Sequence, residues 1–350
     1  MKKELIFSGI LAVMIAVIGL SKLAFKKDIK ETKGVDVVPT MEDVITRDSS
    51  WCPTFQLIFN DLKNDIVKQD VKFDKSNTFL DNLNKEEFKE SDISSDYYYK
   101  TYGVKSIELK NKIIKGIKDK FDQKSDILNK FDFTNSSPNN YFFYSMLYRE
   151  FKYPKKFNKL DNGKFNDKYD NIKYFGIKDK DEELAKQIKV LYYNNEDDFA
   201  IKLLTTSNDE VIINKNPKGN NFREIYNNIT SKSKEYKDNE FTIDSDYFKM
   251  PYLSLNVMKE YKELEGQPIK DSEGNLIEIG TALQTIKFTL DDVGGKIKSE
   301  AGMNVMKSSI EDNKSKRYFY VDKTFAIFLK ETSKDKPYFA ARVDDIRKFQ

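Results

Sequence analysis

The sequence predicts an α+β protein, with helices mainly in the N-terminal third and several short strands after it. Before residue 122, apolar side chains recur every three or four positions, which is the spacing of a helix with one buried face. After about residue 141, aromatic and β-branched residues form short runs that are bounded by turn-forming residues. A hydrophobic content of 39%, with 26 Phe and 20 Tyr, is enough for a large core.

The composition of the 350-residue chain excludes much of enzyme chemistry. It has no His and one Cys, so Ser-His-Asp and Cys-His pairs, His-ligated metals, Cys-based clusters and an internal disulfide are excluded. The 60 basic and 57 acidic residues are interspersed and give a net charge of +3, without a basic face for nucleic acid. These exclusions remove the commonest classes of enzyme, and the interspersed charges predict no nucleic-acid partner.

The N-terminus predicts a targeting segment. Residues 5–20 are apolar and uncharged, with lysines on both sides, and 5–25 approaches the length of about 20 residues that a membrane span needs. We predict that residues 1–27 are a signal peptide or an N-terminal membrane anchor. Residues 28–50, which lack an apolar period, are predicted to be a tether. Both alternatives place residues 51–350 outside the cytoplasm, secreted or held at the cell surface, with Cys52 as an inert, half-buried thiol.

Two amphipathic helices are predicted in the first third. The apolar side of the first consists of Phe55, Ile58, Phe59, Leu62 and Ile66. The apolar side of the second consists of Ile107, Ile113, Ile114, Ile117 and Phe121. Residues 70–100, between them, are polar and have no assigned structure.

Strand patterns dominate the remainder. They cover residues 141–148, 187–193, 199–204, 285–290, 325–330 and 338–343. The second and third flank an acidic, Asn-rich turn, which is typical of a hairpin. A further helix is predicted after Asn221, because Glu224 follows it at the spacing of a capping box.

Several of these late segments resemble the serpins, the serine protease inhibitor family, in order and spacing. Tyr148, Pro154 and Phe157 in SMLYREFKYPKKF match the family's NAxYFKGxWxxxF motif. VLYYNNEDDFAIKLL matches its hairpin, and MPYL (250–253) matches its VPKF segment. FYVDKTFAIFL followed by KPYFAARV matches its closing strands. The resemblance covers about residues 141–346, and the chain is identified as a divergent, bacterial-type member.

The chain departs from the family pattern at several positions. The family Trp of the first motif is Tyr153, and the Asn-Ala before it is Ser145-Met146. Gln284 stands where the family has a His, and the family's SPLSI signature is not visible between residues 51 and 140.

The resemblance implies a serpin-like fold over residues 51–350, with several mixed sheets and an exposed reactive-centre-type loop. In that family a protease cleaves the loop, the hinge before the cleaved bond inserts into a sheet, and the acylated protease is trapped. The resemblance implies that the chemistry belongs to the protease, so this chain is predicted not to be an enzyme, to need no catalytic residue and to have no metal or cofactor.

The loop corresponds to residues 291–315. Asp292 and Gly294 take the family's Glu and Gly places, and the predicted hinge residues are Gly294, Gly295, Ile297, Ser299 and Ala301. Every second residue from 295 to 305 is small or apolar, as an inserted strand requires on its buried side. An ordinary half-buried strand would show the same alternation, so a fixed loop is the alternative; the bulk of Ile297 would slow insertion.

The scissile bond is predicted among Met306, Lys307, Ser308 and Ser309. The sequence thus predicts a monomeric inhibitor of a serine or cysteine endopeptidase, with the membrane as a second partner through the N-terminal segment. The alternative is a non-inhibitory serpin-fold protein with a binding or structural role at the cell surface.

Overall fold

Helices and strands alternate in the first part of the chain, and strands dominate from residue 141 onward. The computed structural model describes residues 30–74, 77–134, 140–295 and 315–350. The helices are α1 (Thr54–Asp61), α2 (Thr78–Asn84), α3 (Ile107–Phe121), α4 (Glu182–Lys186) and α5 (Phe222–Glu235). A π-helical segment, Leu62–Val67, continues α1, and short 3-10 turns lie at Glu90–Asp92, Ser95–Tyr97, Leu128–Lys130 and Ile346–Phe349.

The strands are β1 (Asp36–Val37), β2 (Ser49–Trp51), β3 (Tyr98–Val104), β4 (Tyr141–Leu147), β5 (Phe151–Lys152), β6 (Asn158–Phe165), β7 (Tyr169–Gly176), β8 (Ile188–Asn195), β9 (Asp198–Leu204), β10 (Asp209–Lys215), β11 (Asp246–Pro251), β12 (Leu253–Glu260), β13 (Pro268–Lys270), β14 (Leu276–Glu278), β15 (Leu283–Leu290), β16 (Gly294–Gly295), β17 (Arg317–Tyr320), β18 (Phe325–Glu331) and β19 (Pro337–Val343). All six predicted strand segments are present, with ends that differ by one or two residues, and the predicted hairpin is the antiparallel pair of β8 and β9.

The described strands form two larger sheets and four strand pairs. The larger sheets have the orders β1-β2-β19-β18-β10-β9-β8 and β17-β11-β7-β6. The pairs are β12-β15, β13-β14, β16-β5 and β3-β4. Parallel pairing of β1 with β2 and of β11 with β17 makes both larger sheets mixed. The main core lies on the seven-stranded sheet, because its central strands β10 and β18 are buried almost throughout.

Helix α5 begins where the capping pattern predicts. The side chain of Asn221 accepts a hydrogen bond of 2.8 Å from the backbone N–H of Glu224. In an ideal capping box the Glu224 carboxylate would accept the backbone N–H of Asn221. Here it accepts the N–H of the preceding residue, Asn220, at 2.8 Å. Ile225 and Ile229 are buried on the inner face, so the prediction of this helix is confirmed.

Helix α3 is present, but the predicted membership of its buried face is partly wrong. The structure buries Leu109, Ile113 and Ile117, which recur every four residues. Ile107 and Ile114 are 45% and 47% exposed. The physical reason is the helical angle of about 100° per residue, which places these two, seven positions apart, on the face opposite to Leu109.

The prediction of a tether over 28–50 is corrected for residues 32–50. Strands β1 and β2 lie at one end of the seven-stranded sheet, and Val37, Val38 and Met41 are buried. Residues from Thr32 to Gln350 belong to one compact unit. The segment has few apolar residues and no period, yet packing against the sheet is enough to order it. Residues 1–29, with the predicted signal or anchor, lie outside the described residues. In the ranges that are described, no helix has the length and apolar character to cross a membrane.

Candidate functional site: the hinge and the strand slot

Strands β4 and β15 each have one unpaired edge in the part of the chain that the structure describes. Strand β4 pairs over its seven residues with β3, and β15 pairs over its eight residues with β12. Neither β4 nor β15 has a second strand partner in these ranges. An unpaired edge presents a row of backbone N–H and C=O groups that can bind another strand.

Two sets of contacts connect the β3-β4 pair with the β12-β15 pair. Helix α1 packs against β4, and Thr54 at its first turn accepts a hydrogen bond from Gln284 in β15. At the other end, β5 follows β4 after three residues and pairs with β16, which follows β15. We call the space between the β4 and β15 edges the strand slot; α1 and the β5–β16 pair mark its two ends.

The predicted hinge glycines form the top of the slot. Gly294 pairs with Lys152, and Gly295 pairs with Phe151. Gly294 has a φ of +146°, and a Cβ atom there would lie 2.3 Å from the carbonyl oxygen of Phe151. A Cβ at Gly295 would lie 2.6 Å from the Phe151 ring. Glycine is therefore required at both positions by the close approach of β5.

A tight turn reverses the chain just before these glycines. The Asp291 carboxylate accepts the N–H groups of Val293 at 2.8 Å and Gly294 at 3.1 Å, and the Asp291 N–H donates to the Gly294 carbonyl at 3.0 Å. As a result, a Cβ at Gly295 would also approach the carbonyl oxygen of Thr289 to 3.0 Å. Gly295 thus lies between β5 and β15, with the chain turned back toward the slot.

Asp292 fastens this turn to its surroundings. It is 4% exposed, accepts a hydrogen bond of 2.7 Å from the Tyr252 hydroxyl, and forms an ion pair of 3.0 Å with Lys156. Burial acts to raise the pKa of Asp292, but Tyr252 and Lys156 outweigh it and hold the pKa below its ordinary value. Burial raises the pKa of the adjacent Asp291, so the two carboxyl groups are shifted in opposite directions.

Tyr153, the residue at the family's Trp position, packs beneath the turn. It is 4% exposed, and its ring lies edge-on to Phe157. Burial, followed by the charges of Asp291 and Asp292, raises the pKa of its hydroxyl well above the ordinary value. The phenol therefore stays neutral and serves as a packing group, the use that a Trp would have there.

Gln284 connects β15 to the segment that begins α1. It is 3% exposed, and its amide donates to the Cys52 carbonyl and to the Thr54 hydroxyl, both at 2.9 Å. The Tyr261 hydroxyl donates to its carbonyl oxygen at 2.6 Å. Cys52 is buried, with 8% of its surface exposed, rather than half-buried, and burial raises its thiol pKa to about 11, so the thiolate is scarce at neutral pH.

The sequence did not single out Arg317, which anchors the chain just after the loop. Its guanidinium binds both oxygens of Asp246, at 2.9 and 2.7 Å, and also binds Asp238 at 2.9 Å. Hydrogen bonding and charge from Asp246 outweigh the opposing effect of burial and raise the pKa of Arg317 above its ordinary value. No local sequence signal identified this residue, because its carboxylate partners lie more than seventy residues earlier.

Of the predicted loop residues, the structure places Gly294 and Gly295 together at the top of the slot. Ile297, Ser299 and Ala301 lie outside the described residues. So do the scissile-bond candidates Met306, Lys307, Ser308 and Ser309. Their roles stay predictions.

No protein-family model and no curated protein matches this sequence. Solved structures do match. Maspin has a TM-score of 0.52 and 12% identity, over 85% of this chain and 92% of maspin. A tumour-suppressing serpin has a TM-score of 0.52 and 13% identity, over 85% and 93%. Serpin48 from the insect Tenebrio molitor has a TM-score of 0.48 and 12% identity, over 85% and 92%. At such identities the first two establish the fold alone. The predicted α+β class is confirmed, and this chain has the serpin fold.

Proposed function

We propose that the protein is a serpin-like inhibitor of a serine or cysteine endopeptidase, which it traps after cleavage of the loop between Gly295 and Arg317. The observation that carries the proposal is the strand slot. Its two edges, seven and eight residues long, lack a second strand partner in the described ranges, and Gly294 and Gly295, just before the loop, pair with β5 at one end.

A strand that fills the slot would pair with both edges. Residues 296–303 would continue from Gly295, antiparallel to β15, and match its eight residues in length. Backbone hydrogen bonds on two sides would then replace bonds to water, and the inward face of the strand would receive small or apolar residues. Insertion therefore supplies a free-energy gain that is absent while the loop is intact.

The covalent step uses the groups of the protease. The nucleophile of the protease attacks the scissile carbonyl, the C–N bond breaks, and the new amine leaves with a proton from the general acid of the protease. The protease is then joined to the inhibitor as an ester or thioester. Insertion of the hinge carries this acyl-enzyme away before water can hydrolyse it. The inhibitor thus contributes no catalytic residue, metal or cofactor.

The alternative is a serpin-fold protein with a binding or structural role, whose loop does not insert. Asp291, Asp292 and Lys156 hold the turn before Gly294 in place, which favours a fixed hinge. The bulk of Ile297 also acts against insertion. We propose for either function a monomer outside the cytoplasm, secreted or attached to the membrane through residues 5–25.

Melting before and after a loop cut separates the two functions. A trace of subtilisin or trypsin is used to nick the purified full chain, and mass spectrometry selects the conditions that cut only within 303–312. If insertion contributes about 4 kcal/mol, the melting temperature rises by roughly 6 °C in a chain of this size. A stoichiometric, SDS-resistant adduct with the protease would establish trapping.

Two variants are matched controls. Ser299→Arg places a charge on the inward side of the predicted strand and abolishes the rise, whereas Lys298→Arg on the outward side keeps it. A higher melting temperature without an adduct indicates that the loop inserts too slowly to trap the protease. The bulk of Ile297 would then be the first cause to test. No rise in the nicked wild type contradicts the inhibitor and leaves the non-inhibitory alternative.

A further inference from the structure

A buried ion cluster lies at the base of β5, outside the hinge contacts described above. The side chains of Arg149, Asp209 and Glu331 are 2%, 0% and 1% exposed. An Arg149 nitrogen lies 2.5 Å from Asp209 Oδ1, and a second lies 3.3 Å from Glu331 Oε1. One guanidinium thus joins two carboxylates that belong to β10 and β18, the central strands of the seven-stranded sheet.

Aromatic rings and a hydroxyl complete the cluster. The guanidinium carbon lies 3.4 Å from the centre of the Tyr97 ring and 4.9 Å from that of Tyr338. The Tyr338 hydroxyl donates to Asp209 at 2.7 Å, and the Ser94 N–H donates to Glu331 at 2.8 Å. Arginine suits this place because a planar, delocalised cation can stack on rings while it binds carboxylates.

The cluster lies close to the strand that the hinge uses. Arg149 is two residues before Phe151, the residue that pairs with Gly295. On the other side of Phe151, the Lys152 carbonyl accepts the N–H of Thr206 at 2.8 Å, and Thr206 belongs to the turn just before Asp209. β5 is therefore attached to the same corner of the seven-stranded sheet from both sides.

We propose that Arg149 is a positioning residue: it locks β5 onto the seven-stranded sheet and so fixes the strand against which Gly294 and Gly295 pair. An effect of Arg149 on protease trapping rests on the proposed function, whereas the attachment of β5 to the sheet by Arg149 does not. Buried ion pairs are poor sources of stability but can specify one arrangement. A two-residue strand that receives the hinge needs a defined position, since its pairing with Gly294–Gly295 is too short to define it.

Hydrogen–deuterium exchange on the intact full chain tests the lock directly. The readout is the exchange rate of the amides of residues 151–153 and 293–295, which join β5 to the hinge. Arg149→Lys keeps the charge but loses the planar fork and the ring contact. We expect exchange in these two segments to rise about tenfold or more, while the centre of β10 stays protected.

Lys215→Met is the matched control. Lys215 is a second buried cation, 3% exposed, at the other end of β10, where it pairs with Asp322 at 2.8 Å and Asp197 at 3.1 Å. Its loss destabilises the protein but leaves the hinge amides unchanged. Tyr97→Leu removes only the ring contact, and it replaces Arg149→Lys if that variant does not fold. Unchanged hinge exchange, or an equal increase in Lys215→Met, overturns the proposal.

The outcomes separate this proposal from the proposed function. If nicking does not raise the melting temperature of the wild type, the inhibitor fails while the exchange result still decides the lock. If the wild type traps protease and hinge exchange is unaffected in Arg149→Lys, the lock alone fails. If both the inhibitor function and the positioning role of Arg149 are confirmed, more of the Arg149→Lys protein than of the Lys215→Met protein is expected to be cleaved without trapping each protease molecule.

Discussion

The seven-stranded sheet and the strand slot differ in how completely the edges of their strands are hydrogen-bonded. β10 and β18 in the sheet pair on both sides, with seven register pairs between them. In the described ranges β4 and β15 pair on one side. Because β10 and β18 are hydrogen-bonded on both edges, a further strand could be added beside them only by breaking existing bonds. The unpaired edges of β4 and β15 can accept a strand, so a rearrangement would form the most new hydrogen bonds at the strand slot.

The side chains differ in the same sense. Every residue of β10 is buried, while buried and partly exposed residues mix along β15. A strand that is buried throughout is fixed by packing on both faces, and a strand with mixed burial is fixed mainly by one face. The comparison indicates that the seven-stranded sheet contributes most to stability and that the strands around the slot can rearrange more easily.

The largest expected effect is that of a methyl group at the hinge. Gly294→Ala places a Cβ 2.3 Å from the Phe151 carbonyl oxygen, at a φ that other residues rarely adopt. We expect the free energy of unfolding to fall by about 3 kcal/mol, as for a strained backbone position. Urea titration measures the change. Gly280→Ala is the control, since its Cβ would meet no atom within 4 Å; an equal loss there would contradict the close packing of the hinge.

A smaller effect is expected from Gln284→Ala, which disconnects β15 from α1. The hydroxyls of the partly buried Thr54 and the buried Tyr261 lose their partner, at a cost of about 2 kcal/mol in unfolding free energy. Gln187→Ala is a matched change near the seven-stranded sheet: Gln187 is 2% exposed and exchanges two hydrogen bonds with the Lys155 backbone.

The two glutamine variants are distinguished by the thiol of Cys52, which is buried next to Gln284. Faster reaction with a thiol reagent is expected only for Gln284→Ala, because only that change loosens the slot. If Gln187→Ala accelerates the reaction equally, the slot is not the more adjustable region.

The smallest effect is a difference in acid sensitivity. The pKa of Asp292 is below its ordinary value in the folded state, so its contribution to stability is present above that ordinary value and is lost as pH falls through the lower folded pKa. The pKa of Asp291 is raised by burial, so its protonation favours the folded state as pH falls. From pH 5 downward, urea midpoints should therefore fall less steeply for Asp292→Asn than for the wild type, and more steeply for Asp291→Asn. Identical slopes in all three proteins would contradict the opposed shifts.

The sequence predicted elements whose pattern is local. The Asn221 cap, the β8–β9 hairpin and the run that forms β18 needed only neighbouring residues, and all are present. Its assignment of Gly294 and Gly295 to a hinge stays a prediction. It missed Arg149, Arg317 and the ordering of residues 32–50, since each depends on partners far along the chain.

By itself, the sequence determined the α+β class, the order of the strands along the chain and the absence of His-based chemistry, because propensity, period and composition act over short distances. Only the tertiary structure decided which strand edges stay unpaired and where Gly295 lies between them. It also decided that Arg149 joins Asp209 and Glu331 across 60 and 182 residues of chain. Such contacts arise from packing the whole domain, and no local pattern encodes them.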